Sequence, residues 1–120
     1  MLFICYPTCS TCKKAREFLD ARGIHYEFRD IKLDRPNADE LRAWHKRSGL
    51  PLKHFFNTSG LSYKALNLSA RLSSLSEEAQ ITLLATDGML VKRPILVRDD
   101  FVLVGFRVSE WEEKLSVSPA

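Results

Sequence analysis

The first two dozen residues narrow the possible folds more than any other part of the chain. Leu2-Phe3-Ile4-Cys5-Tyr6 is short, apolar and β-prone, the pattern of a strand buried on both faces. Pro7 ends it. Cys9-Ser10-Thr11-Cys12 follows, and Cys12, Ala15, Phe18 and Leu19 then recur at helical spacing. Gly23 suits the left-handed position just past a helix end. Ile24 to Ile31 is β-prone again, with Tyr26 and Phe28 on one face. Strand, helix and strand in this order predict a βαβ unit with a parallel strand pair. Two thiols three positions apart therefore sit at a helix N-terminus, close enough to join in a small disulfide. Such a terminus supplies unpaired N–H groups and a positive dipole end, which favour thiolate over thiol.

The middle of the chain reads as helical. Asn37 followed by Glu40 is a capping box, and Gly49 stops the helix it opens. Leu50 to Phe56 is a short helical or turn segment, and Asn57-Thr58-Ser59-Gly60 is a strong turn signal. A brief helix is expected over 63–66. Ser76 caps another running to about Ala85, with Glu77 and Glu78 in its first turn. Trp44, Phe55 and Phe56 read as core. β character returns in Ile95-Leu96-Val97 and in Phe101 to Gly105, a hairpin turned by Asp99-Asp100. Ser109 with Glu112 reads as the capping box of a last helix, with Trp111 and Leu115 available for burial. The reading is a single domain over 1–115 with a helical insert at about 36–88, and a tail over 116–120 that carries no packing signal and frays.

Bulk properties exclude more than they assign. A chain of 120 residues with 45% apolar and 28% charged residues can bury one core. Its formal charge of +3 is too mild to argue for direct nucleic-acid binding. No stretch approaches the roughly 20 apolar residues of a membrane helix, and no signal-peptide pattern opens the chain. A cytoplasmic protein with reduced thiols is expected. Three cysteines are an odd number for a disulfide scaffold, and His25, His45 and His54 fall at no zinc spacing, so no metal site is expected. Cys5, inside the first strand, reads as a small hydrophobe. The basic run Lys13-Lys14 with Arg16 has two open readings, a steering field for an anion or a solvated helix face.

Four motifs in this order resemble one family. They are Pro7-Thr8-Cys9 with Cys12-Lys13-Lys14-Ala15, Asn57-Thr58-Ser59-Gly60 with Tyr63, Leu90-Val91-Lys92-Arg93-Pro94-Ile95, and Val104-Gly105-Phe106. Together they are similar to the arsenate reductase (ArsC) family, which also includes Spx-like transcription regulators, over about 2–115. The resemblance implies an α/β thioredoxin-like fold, with a mixed four-stranded sheet and a helical insertion between strands two and three. It implies that Cys9 is the catalytic cysteine, attacking an oxyanion such as arsenate or a disulfide. Glutathione or glutaredoxin then serves as co-substrate, and no cofactor is bound. It further implies that Arg93 supports the anion, that Pro94 is cis and structural near the site, and that Arg107 is a second anion-binding arginine. Where the arsenate enzymes carry a further arginine, this chain has Asn57. Cys12 is shared with Spx-like members, whereas the glutathione-dependent arsenate enzymes generally lack it.

The residues themselves support a compatible site. Ser10, Thr11 and the helix N–H groups form a small nest beside Cys9, a seat for an oxyanion. Arg93 presents a planar fork of donors to oxyanions or carboxylates, or else forms a surface salt bridge. Cys12, one helical turn in, is either the resolving thiol that attacks a mixed disulfide on Cys9 or a buried helix residue. Two functions therefore compete: a small thiol oxidoreductase, and an Spx-like regulator whose Cys9–Cys12 disulfide switches docking on the RNA polymerase α subunit.

Overall fold

A central sheet of four short strands separates two apolar layers in the computed structural model, which describes residues 1–115. The strands are β1 (Leu2–Cys5), β2 (Glu27–Asp30), β3 (Ile95–Val97) and β4 (Val102–Val104), in spatial order β2-β1-β3-β4. β1 pairs parallel with β2 and antiparallel with β3, and β3 pairs antiparallel with β4. With α1 (Ser10–Ala21) crossing between β1 and β2, and the insert between β2 and β3, this is the thioredoxin-like fold with a mixed sheet. The expected tail lies outside the described residues.

Period-two alternation assigns the faces. Ile4 and Ile95 point into a cluster built with the insert: Leu41, Trp44, Phe55, Phe56, Leu84 and Leu90. Phe3, Cys5, Leu96 and Leu103 point the other way, against α1 and α6 (Val108–Leu115). All four residues expected to line α1, Cys12, Ala15, Phe18 and Leu19, are buried there. The insert contains α2 (Ala38–Ser48), α3 (Leu61–Ala65), α4 (Leu68–Arg71) and α5 (Glu77–Leu84), with a 3-10 turn over Leu52–Phe55. Among the described residues, no helix is long and apolar enough to cross a membrane.

Several local expectations hold atom for atom. Asn37 Oδ1 accepts the Glu40 N–H at 2.8 Å while Glu40 Oε1 accepts the Asn37 N–H at 3.1 Å, and Gly49 closes α2 at φ +70°. Ser76 Oγ accepts the Ala79 N–H at 3.1 Å. Three expectations are corrected. Strand two is Glu27–Asp30 rather than Ile24 to Ile31, because β1 offers only Leu2–Cys5 to pair with, and Ile24 is spent on the exit from α1, its N–H donating to Leu19. The last helix begins at Val108, so Ser109 sits inside its first turn, and the Arg107 carbonyl accepts its first bond, from Trp111 N–H at 3.0 Å. Burial of Trp111 sets that start: its indole N–H donates to the Gly105 carbonyl at 3.1 Å, and its ring meets Phe3, Phe18 and Phe106 edge-on. The brief helix expected over 63–66 starts two residues earlier, and α4 was not anticipated.

Candidate active site: three cysteines around the Tyr6 backbone

The end of β1 and the start of α1 build the site. Cys9 occupies the N-cap of α1 with extended backbone (φ −77°, ψ 127°), so its carbonyl accepts the Lys13 N–H at 3.0 Å while its side chain stands before the first turn. Ser10 and Thr11 are the first two helical residues, and both are exposed. Cys9 is half-buried, whereas Cys12, one turn further in, is 1% exposed. All three cysteines are free thiols.

Tyr6 holds the sulfurs in register through its backbone. Its N–H donates to Cys12 Sγ at 3.4 Å. Its carbonyl accepts the Cys9 N–H at 3.0 Å and a longer contact from the Cys5 thiol at 3.6 Å. Cys5 and Cys12 lie in one buried cluster, and the half-buried Cys9 packs against it. The Cys12 thiol is held well above its ordinary value, first because it gives its hydrogen to Cys5 and second because it is buried, with the Tyr6 N–H pulling the other way. Cys12 is therefore a neutral thiol at physiological pH.

Cys5, expected as a small hydrophobe, is buried as one, and its neighbourhood is not visible in the sequence motif. It is buried in the same cluster as Cys12. The signal lies in the register instead: Cys5 lies two residues after Phe3, so both share the face that α1 covers, and Cys12 is on the buried side of α1.

The expected anion-binding residues are placed differently from one another. Pro94 is buried, follows a cis peptide bond, and accepts the Gly105 N–H at 2.8 Å. Arg93 is half-buried with its guanidinium 5.6 Å from the centre of the Tyr6 ring, and its Nη1 lies 3.4 Å from the Val91 carbonyl and 3.5 Å from that of Met89. It thus stands over the residue that organises the sulfurs. Arg107 is exposed at the N-cap of α6; its neighbour Phe106 packs edge-on against Phe18 of α1 and Trp111 of α6. Of the basic run, Arg16 is engaged by its own fold, stacking on Phe28 at 4.6 Å and donating to Tyr26 Oη at 3.3 Å, while Lys13 and Lys14 are exposed.

Known proteins place this geometry. Residues 5–114 match the sequence profile of the ArsC family. A Bacteroides fragilis protein described as related to the ArsC family superposes with a TM-score of 0.92 at 55% identity, covering 93% of this chain and 94% of that one. The structure of a possible arsenate reductase from Streptococcus mutans UA159 gives 0.87 at 44% identity, over 95% and 97%. The uncharacterized protein YusI of Bacillus subtilis is 44% identical over 113 residues, 94% of this chain and 96% of its own. The global transcriptional regulator Spx of Listeria innocua is 26% identical over 104 residues, 87% of this chain and 78% of its own. By its profile match over nearly the whole chain and its likeness to these proteins, the chain is a member of the ArsC/Spx-like family of the thioredoxin fold.

Proposed function

We propose that this protein is a small thiol oxidoreductase in which Cys9 is the nucleophile and Cys12 the resolving thiol. The supporting observation is their placement: Cys9 half-buried at the N-cap of α1, and Cys12 buried one turn inside, in the cluster that Cys9 packs against. On a disulfide substrate, the Cys9 thiolate displaces one thiolate and forms a mixed disulfide. Cys12 then attacks Cys9 Sγ, expels the second thiolate, and leaves a Cys9–Cys12 disulfide. On an oxyanion such as arsenate, Cys9 attacks arsenic and one oxygen leaves as water, giving a covalent adduct; a thiol of glutathione, glutaredoxin or Cys12 then attacks Cys9 Sγ, and the S–As bond breaks to release arsenite. The two electrons that reduce the oxyanion come from joining these two sulfurs.

Negative charge has natural partners here. Ser10, Thr11 and the opening N–H groups of α1 face an anion seated at Cys9. Arg93 and Arg107 supply positive charge, and the cis bond to Pro94 fixes the backbone next to Arg93. A reducing compartment, the cytoplasm, would return the cysteines to thiols.

Turnover of arsenate, of a glutathione mixed disulfide and of a protein disulfide tests the reading. Cys9→Ser abolishes turnover on every substrate that the wild type accepts. Cys12→Ser stops it on disulfides and leaves arsenate turnover intact if glutathione resolves that adduct. Full activity in both variants on all three substrates overturns the proposal.

A second reading draws on the similarity to Spx, a transcriptional regulator. In it, the Cys9–Cys12 redox state switches docking on the RNA polymerase α subunit. Redox-dependent retention on immobilised α subunit, together with no turnover of any of the three substrates, would favour this reading.

A further inference from the structure

The two thiols of the proposed chemistry leave a third sulfur unused, and it lies in the same cluster. Cys5 and Cys12 share one buried cluster, and Cys9 packs against it from the half-buried helix mouth. The Tyr6 backbone touches all three residues, through its N–H to the Cys12 sulfur and its carbonyl to the Cys9 N–H and the Cys5 thiol. Thiol–disulfide exchange needs an attacking sulfur on one side of the central sulfur and a leaving sulfur on the other. In an exchange with Cys12 as the central sulfur, Cys5 attacks and Cys9 leaves.

We propose that Cys5 is a third redox cysteine, which receives the disulfide from Cys9 and carries it into the core. The inference rests on the reading of Cys9 and Cys12 as a redox pair. Once substrate has oxidised that pair, Cys5 gives up its proton and its thiolate attacks Cys12 Sγ. The Cys5–Cys12 bond forms, the Cys9–Cys12 bond breaks, and Cys9 leaves as a thiolate that takes a proton from water. No electrons are gained or lost, so the step requires no oxidant beyond the substrate that made the first disulfide. The product has a free Cys9 at the surface and a disulfide between two side chains that are 2% and 1% exposed. An external thiol reaches that disulfide by way of Cys9, when the exchange runs backward. Oxidation is thereby stored out of reach while the nucleophile is restored.

All three cysteines lie in one tryptic peptide, residues 1–13. This permits a direct test on the full chain. Reduced protein is oxidised with one equivalent of diamide, which takes two electrons and two protons. Free thiols are then blocked with N-ethylmaleimide in acid, the disulfide is reduced and labelled with iodoacetamide, and the peptide is fragmented to locate each label. The expected result is maleimide on Cys9 and carbamidomethyl on Cys5 and Cys12 in at least half of the oxidised peptide. Maleimide on Cys5 throughout overturns the inference and leaves the Cys9–Cys12 redox pair standing. A peptide that never carries two carbamidomethyl groups overturns both. Cys9→Ser checks the route: its Cys5–Cys12 disulfide should form at least tenfold more slowly than in the wild type, because diamide must then reach buried sulfur. Formation at the wild-type rate overturns the exchange step.

Discussion

Cys9 and Cys12 are one helical turn apart and live in different solvents. Cys9 is half-buried at a helix mouth, whereas Cys12 is closed in by Cys5, Tyr6 and the sheet. Under native conditions Cys9 should therefore alkylate with iodoacetamide much faster than Cys5 or Cys12, which mass mapping of the labelled peptide checks. The raised Cys12 thiol makes a prediction with a definite sign. Because its thiolate is scarce at neutral pH, release of glutathione from a Cys9 mixed disulfide should accelerate as pH rises through and above the ordinary thiol range. A flat profile in stopped-flow measurements between pH 7 and 10 would contradict it. Away from the sulfurs, Arg29 binds Glu40 through its two terminal guanidinium nitrogens at 2.6 and 2.8 Å, and this contact, opposed by burial and aided by the Asn37 N–H, holds the Glu40 carboxyl below its ordinary value. A depressed carboxyl stabilises the fold above the pKa it has when unfolded, and that contribution is lost as pH falls through the folded value. Glu40→Gln should cost about 1–2 kcal/mol at pH 7 and little at pH 3, read from urea unfolding at both pH values. The Cys9–Cys12 pair was legible because its spacing and helix register lie within four residues. The Cys12 contact with Cys5 was not, because it depends on how α1 crosses β1.

Elements were legible where their signals are local. The Asn37 and Ser76 caps are each made of two residues three apart, and both occur as expected. Asn37→Ala should cost about 1 kcal/mol in chemical denaturation, the usual worth of such a cap. Ser109 carries the same local signal, yet the helix starts at Val108, since seating the Trp111 ring and its N–H against the sheet fixes where α6 begins. The short α4 was missed because four residues give no period to read, and its N-cap, Asn67, is a left-handed residue at φ 53°. Gly88 shows the opposite case, a residue whose role appears only in three dimensions. A Cβ there would stand 1.8 Å from the Ile31 carbonyl oxygen, so the end of the insert lies directly on the chain leaving β2. Gly88→Ala should destabilise by about 1–3 kcal/mol or more, with the backbone pushed apart; an unchanged thermal midpoint would show that the approach is not tight.

At the scale of the whole molecule, one sheet serves two cores. Trp44 lies in the layer shared with the insert, and Trp111 in the layer shared with α1. The insert cannot complete its own core without Ile4 and Ile95 from the sheet, so the two layers should melt together. Trp44→Phe and Trp111→Phe each leave a single tryptophan reporting on one layer. Their fluorescence transitions should fall at the midpoints given by circular dichroism of the same variant; a separate, earlier transition of Trp44 would mark the insert as an independent unit. Sequence by itself determined the βαβ start, the cysteine pair at a helix mouth, the main caps and the apolar faces, because each rests on backbone periodicity or on hydrogen bonds spanning a few residues. Tertiary structure alone decided that Cys5 meets Cys12, that Arg93 stands over Tyr6, and where β2 and α6 begin. Those depend on packing between segments distant in the chain, where the burial of one large side chain outweighs a local cap or strand preference.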